Sequence, residues 1–137
     1  PAGRARDGKR SEADAIGRLG NGERISMTVR DLMDKNLFKV ENTGDNLDAE
    51  ITKPFCCDLL SVAMGKAPAG SCWVTVMANM NTLAVAVLTE VACIVLAEGM
   101  KLDDTCLQKA VQQGITVFQT AEPVFDAALK VQRLLDA

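Results

Sequence analysis

Three apolar runs, SCWVTVM (71–77), ACIVLAEG (92–99) and ITVFQT (115–120), show little polar alternation. A strand with one wet face alternates apolar and polar residues. A strand covered on both faces reads as a continuous Val, Ile and Leu run. Helical stretches separate and follow these runs. NTLAVAVLTE (81–90) is helical by length and alanine content. LDDTCLQKAVQQG (102–114) is a helix capped by Asp103 or Asp104 and stopped by Gly114. EPVFDAALKVQRLLDA (122–137) is an amphipathic helix with Pro123 in its first turn. The alternation predicts an α/β fold: a three-layer, mostly parallel sheet with helices on both faces.

Upstream, the pattern is shorter. TVRDLMDKN (28–36) predicts a short helix with Val29, Leu32 and Met33 on one face, capped by Thr28 with Asp31 returning the bond. LFKV (37–40) and AEIT (49–52) predict short strands, the second ended by Pro54, and a helix is expected from Asp58 to Met64. Residues 1–26 differ from the rest. They hold six basic and four acidic residues, five glycines and few large apolar side chains, which predicts a flexible basic extension before a domain over 27–137. Met27 reads as a plausible natural start.

Composition removes several function classes. The chain has no His, so Ser–His–Asp and Cys–His catalysis and His metal ligands are excluded. Net charge is −3 and there is one Trp and no Tyr, which does not fit a basic, aromatic nucleic-acid surface. The longest apolar stretch, 83–97, contains Glu90 and is shorter than the about 20 residues of a spanning helix, so no membrane partner is expected. Five cysteines without CxxC spacing predict reduced thiols, a cytoplasmic setting, no metal site and no cofactor. Cys56 and Cys57 are adjacent; Cys57 precedes the expected helix start and is the candidate reactive thiol.

In open α/β sheets ligands gather beyond the carboxyl ends of the strands. That rule, applied to the loops expected here, selects Thr52, Lys53, Asp58, Asn79, Asn81, Glu98, Gly99 and Thr120 as candidate ligand-binding residues. Helix N-termini in those loops suit anions. The same loops are explained without a ligand if Asp58, Asn79 or Asn81, and Thr120 are helix caps. The LAVAVL segment (83–88) is apolar on every side, so the face away from the sheet needs a neighbouring helix of the monomer or a second chain. On the second reading Leu83, Val85, Val87 and Leu88 are the candidate contact surface of a homodimer.

From Met27 to about Leu135 the order of motifs resembles the DRTGG domain family. The stretches that carry the resemblance are MTVRDLMDKNLFKV, LDAEIT, DLLSVAMG, CWVTVMANMNTLAVAVLTEVACIVLAEG, GITVFQT and VFDAALKV. In the signature step Asp48 and Thr52 match, Ala49 replaces the arginine, and Lys53 and Pro54 replace the two glycines. Two glycines permit close backbone approach, which Lys-Pro does not. The resemblance implies a regulatory role: such domains stand beside CBS nucleotide-sensing domains and in phosphotransacetylases, and are associated with dimerisation. A related domain precedes the catalytic part of HPr kinase/phosphorylase, whose phosphate-loop chemistry is absent here.

The expected function is a non-catalytic intracellular regulatory or interaction module. It is expected to dimerise and to sense a nucleotide or other phosphorylated metabolite, with a protein partner as a further expectation. The alternatives are a pure assembly module without a small ligand and a thiol switch using Cys57.

Overall fold

The computed structural model describes residues 26–137. The expected basic extension therefore lies outside the described residues, except for Ser26. The elements in chain order are α1 (Val29–Asp34), β1 (Lys39–Asn42), β2 (Pro54–Cys56), α2 (Leu60–Lys66), β3 (Cys72–Thr75), α3 (Met80–Thr89), β4 (Cys93–Leu96), α4 (Asp104–Gln113), β5 (Val117–Gln119) and α5 (Val124–Asp136). The sheet order is β1-β5-β4-β3-β2; β1 is antiparallel to β5 and the other pairs are parallel. This is the α/β fold, with a mostly parallel sheet, that the apolar runs predict.

The strands β2, β3, β4 and β5 follow one another in space as in sequence. Each crossover moves one strand in the same direction, so the right-handed rule places α2, α3 and α4 on a single face. The packing agrees: Ala63, Leu83, Ala86 and Ala110 of those helices meet Trp73, Ile94, Leu96 and Val117. The alternate residues Cys72, Val74, Cys93, Val95 and Phe118 point to the other face, under α1 and α5. There Phe38 stands edge-on to Phe118 with ring centroids 6.2 Å apart.

The helix ends are built from local chemistry. Thr28 accepts from Asp31 N–H at 3.1 Å while the Asp31 carboxylate accepts from Thr28 N–H at 2.9 Å, which closes the expected capping box. Asn79 accepts from Thr82 N–H and Asp103 from Cys106 N–H, and Gly114 ends α4 in the left-handed conformation.

Two upstream expectations are corrected. The second strand is Pro54–Cys56, not 49–52: Pro54 opens an edge strand instead of closing one, a position that tolerates its missing N–H. Helix α2 starts at Leu60, not Asp58, and its cap residue Leu59 makes no side-chain cap bond.

At the amino ends of β4 and β5 the long β1–β2 connection is stapled by side chains. Asn46 donates to Ala92 O at 2.8 Å and accepts from the Thr116 hydroxyl at 3.1 Å, which in turn accepts from Gly44 N–H at 2.9 Å. Gly44 lies so close to the end of α4 that an added Cβ would come within 2.2 Å of Gly114 O.

Candidate functional site

The carboxyl ends of β2, β3, β4 and β5 all lie along one edge of the sheet, because the four strands are parallel. The loops leaving them place Asp58, Asn79, Asn81, Glu98, Gly99 and Thr120 along that edge. Thr52 and Lys53 are not part of that group. With β2 beginning at Pro54, they precede the strand and sit at the opposite edge, where Thr52 N–H donates to Gly70 O and Lys53 O accepts from Cys72 N–H.

Asp58 is not a helix cap. Its Oδ1 accepts from the Thr75 hydroxyl at 2.6 Å and from Val76 N–H at 3.0 Å, tying the β2–α2 loop to the end of β3. Thr75 is fully buried, and its hydroxyl also accepts from Met77 N–H at 3.2 Å. The polar residue closing the CWVT strand was the available signal for this contact, but its partner is 17 positions away. Asn79 is the cap of α3, and its Oδ1 also accepts from the buried Thr82 hydroxyl at 3.2 Å. Asn81 is exposed one turn-position later.

The β4–α4 loop opens with two consecutive left-handed residues, Glu98 at φ 58° and Gly99 at φ 74°. A glutamate in that region costs on the order of 1–3 kcal/mol and needs support. The support is backbone pairing across the edge: Glu98 N–H donates to Glu122 O, and Gly99 N–H to Thr120 O, each at 2.9 Å. Thr120 does not cap α5; its hydroxyl accepts from Glu122 N–H at 3.2 Å and approaches the Glu122 carboxylate, which pairs with Lys130. Sequence reasoning did not single out Lys130.

Charge along this edge is mostly negative. Asp58, Glu98, Asp103, Asp104 and Glu122 lie in these loops and the adjoining helices, with Lys101, Lys130 and Lys39, which stands opposite Gln119 at the end of β5. Lys130 is engaged by Glu122. An anion here has backbone N–H groups, Lys39 and Lys101, or a cation brought by the ligand, to meet it. Among the described residues, no group of three or more His, Cys, Asp or Glu side chains converges to hold a metal.

The cysteines are all free. Cys57 is half-buried, donates its thiol to Leu59 O at 3.3 Å, and its carbonyl accepts from the Trp73 indole at 3.0 Å. The helix it was expected to precede begins three residues later, at Leu60. Cys72 faces Cys93 in register across β3 and β4; a hydrogen bond to Cys93, then burial, pushes the Cys72 thiol up. Burial also raises Cys56 and Cys106, with Cys72 and Asp58 adding at Cys56 and Asp103 adding at Cys106. A nucleophilic thiol needs the opposite shift.

The candidate dimer residues divide in two. Leu83 and Val85 are buried at 1% and 5% exposure and belong to the core; Val87 and Leu88 are exposed at 45% and 68%. The correction has a geometric reason. Helix α3 is apolar all round, and the side it turns to the sheet is set by contacts that its own sequence does not encode. With Met80 and Ala84, Val87 and Leu88 form an outward stripe that holds no charged residue.

No family model matches the chain, and no curated protein matches it. Among solved structures, the fold is similar to the CBS and DRTGG domains of the regulatory region of Clostridium perfringens pyrophosphatase, determined in complex with the activator diadenosine tetraphosphate. The TM-score is 0.65 at 13% sequence identity, and the match covers 90% of this chain and 57% of that chain. At that identity the likeness is one of fold alone, and it is consistent with the DRTGG-like fold that the sequence motifs imply.

Proposed function

We propose that the chain is a non-catalytic regulatory module that self-associates through the outer face of α3. The observation that carries this reading is the charge-free stripe of Met80, Ala84, Val87 and Leu88 on a chain that is 24% charged. A helix apolar on every side is a helix meant to be covered. The sheet edges support the same choice. Edge strand β2 is three residues long and opens with Pro54, and edge strand β1 carries Lys39, Glu41 and an irregularity between Val40 and Asn42. Short strands, proline, charges and bulges are how sheets avoid edge-to-edge pairing. Five free thiols fit a reducing intracellular setting.

Sedimentation velocity tests the reading. Wild-type protein is expected to be dimeric at about 100 µM, and Leu88→Glu monomeric with an unchanged circular dichroism spectrum. Monomeric wild-type protein at that concentration overturns it.

A second reading, a sensor of a nucleotide or other phosphorylated metabolite, is favoured by the ligand of the similar regulatory region. The ligand would lie on the carboxyl edge, against the start of α3 and the paired backbone of Glu98 and Gly99. The acid excess there predicts binding as the magnesium complex. Thermal shift with diadenosine tetraphosphate, with and without Mg²⁺, tests it: a ligand at 100 times its dissociation constant adds about 2.7 kcal/mol, which is on the order of several degrees. No shift in either condition overturns this reading for that ligand.

A further inference from the structure

We infer that two copies pair with their α3 helices parallel, each placing Leu88 in the groove between α3 and α4 of the other. The inference rests on the self-association reading and specifies its geometry. Three observations carry it.

The first is a groove of about 200 Å³ lined by Leu83, Ala84, Val87, Lys109 and Gln113. At about 30 Å³ per water molecule, that space holds several waters, and so one aliphatic side chain. The groove is apolar along α3 and bordered by the α4 side chains.

The second is the placement of the exposed leucine. Successive helical residues turn by about 100°. Relative to Ala84, Val87 therefore lies about 60° towards α4 and Leu88 about 40° the other way, towards α2. Leu88 is 68% exposed and does not line the groove. The same face thus carries a knob on one side of Ala84 and a hole on the other.

A two-fold axis in the contact plane has two simple settings. An axis along α3 makes the helices parallel and lays the α2 side of one copy on the α4 side of the other, so that the partner's Leu88 meets the groove. An axis across α3 makes the helices antiparallel and lays α2 side on α2 side. Leu88 then meets the partner's Asn81, and both grooves stay open. Only the parallel setting matches knob to hole, and an isologous contact does so twice.

The third is charge. From Met27 onward the chain has nine basic and fourteen acidic residues, so two copies repel on average. Ser61, Val62 and Gly65 on α2 and Gln108 and Gln112 on α4 are exposed and none is acidic; the exposed acid next to the stripe is Glu90, at the C-terminal cap of α3. Apart from Glu90, two anionic bodies meeting here bring no acidic side chain of α2 or α3 into the contact. Three helices about 10 Å apart and about 15 Å long give a footprint of roughly 400 Å² per copy, the size of a weak, reversible contact. The parallel setting also turns the carboxyl edges of both sheets to the same side of the dimer.

Disulfide trapping in the full chain tests the geometry, on a Cys56→Ser, Cys57→Ser background that removes the accessible thiols. Leu88→Cys protein is mixed with Gln113→Cys protein, or with Asn81→Cys protein, and oxidised glutathione is added. Cross-links need Cα atoms within roughly 7 Å, so the parallel dimer is expected to give about tenfold more covalent dimer in the Gln113 mixture than in the Asn81 mixture. The reverse preference, with the background protein dimeric by sedimentation, overturns the parallel geometry and leaves self-association standing. No cross-link in either mixture from a dimeric protein overturns this contact. A monomeric background protein overturns both the geometry and the reading beneath it.

Discussion

On one side of the sheet, α5 turns Ala127, Ala128, Val131 and Leu135 inward and Asp126, Arg133 and Asp136 outward. On the other side, α3 turns Thr82, Leu83, Val85 and Ala86 inward and Met80, Ala84, Val87 and Leu88 outward. Both helices bury a stripe against the same strands, so both complete the core. Only α5 presents water with a largely polar surface, Phe125 being the exposed exception. The difference separates two demands on a helix of this fold. Covering the sheet requires one apolar stripe, and α5 stops there. A second apolar stripe adds nothing to the monomer's core, so its purpose is sought outside the monomer.

The largest test of this comparison sets two substitutions on α3 side by side. Val85→Glu buries a carboxylate without a partner, and is expected to cost about 3–5 kcal/mol or to prevent folding. Leu88→Glu, three residues on, is expected to leave monomer stability within about 0.5 kcal/mol. Urea denaturation of both variants measures the contrast. Equal destabilisation would mean that both sides of α3 are core, and the comparison with α5 would collapse.

Phe118→Ala probes the α5 side. Phe118 is fully buried beneath α5 and edge-on to Phe38, and its loss is expected to cost about 3–5 kcal/mol. The proposed dimer contact lies on the opposite face, so the folded fraction of this variant should associate like wild type. Association lost in proportion to stability would couple the two faces and blur the distinction between them.

Gly44→Ala is expected to cost less, about 1–3 kcal/mol, because the new methyl group meets the Gly114 carbonyl at the end of α4 and the loop must shift. That position belongs to neither helical outer surface. Its thermal midpoint should fall with no change in the dimer dissociation constant.

What the sequence made legible divides along the range of the interactions. The caps at Thr28, Asn79 and Asp103 and the stop at Gly114 act within three or four residues; Thr28 and Gly114 were readable from spacing, and Asn79 and Asp103 each as one of two candidates. The three buried strands were readable because burial on both faces removes alternation. Pro54 misled because proline ends most elements, whereas at an edge strand its missing N–H faces no partner. Asp58 misled for a related reason. An acid shortly before a helix has the look of a cap, and only the fold brings Thr75 to its carboxylate. The Asn46–Thr116 bond spans 70 positions and had no local signature at all. Helix α3 shows the limit most clearly: its apolar circumference was visible, but the division between Leu83 and Val85 inside and Val87 and Leu88 outside belongs to the contact with the sheet.

The smallest expected effect concerns how the two helical layers respond to acid. Helix α4 begins at a titratable cap, Asp103, whereas α5 begins at Pro123 with no side-chain cap. The hydrogen bonds from Cys106 hold the Asp103 carboxyl below its ordinary 3.8. A carboxyl depressed in the folded state lends stability that is present above its unfolded pKa and lost as pH falls through its folded pKa. The contribution is therefore constant near neutrality and fades in the acid range below about 4. Asp103→Asn keeps a side-chain acceptor for the cap and removes the titration. Urea midpoints for wild type and this variant should run parallel from about pH 8 to 6 and converge towards about pH 2.5, as the charge at the start of α4 is neutralised. A gap that stays constant across the whole range would show that Asp103 acts through its hydrogen bond alone. The acid response would then give no means of telling the α3–α4 layer from the α5 layer.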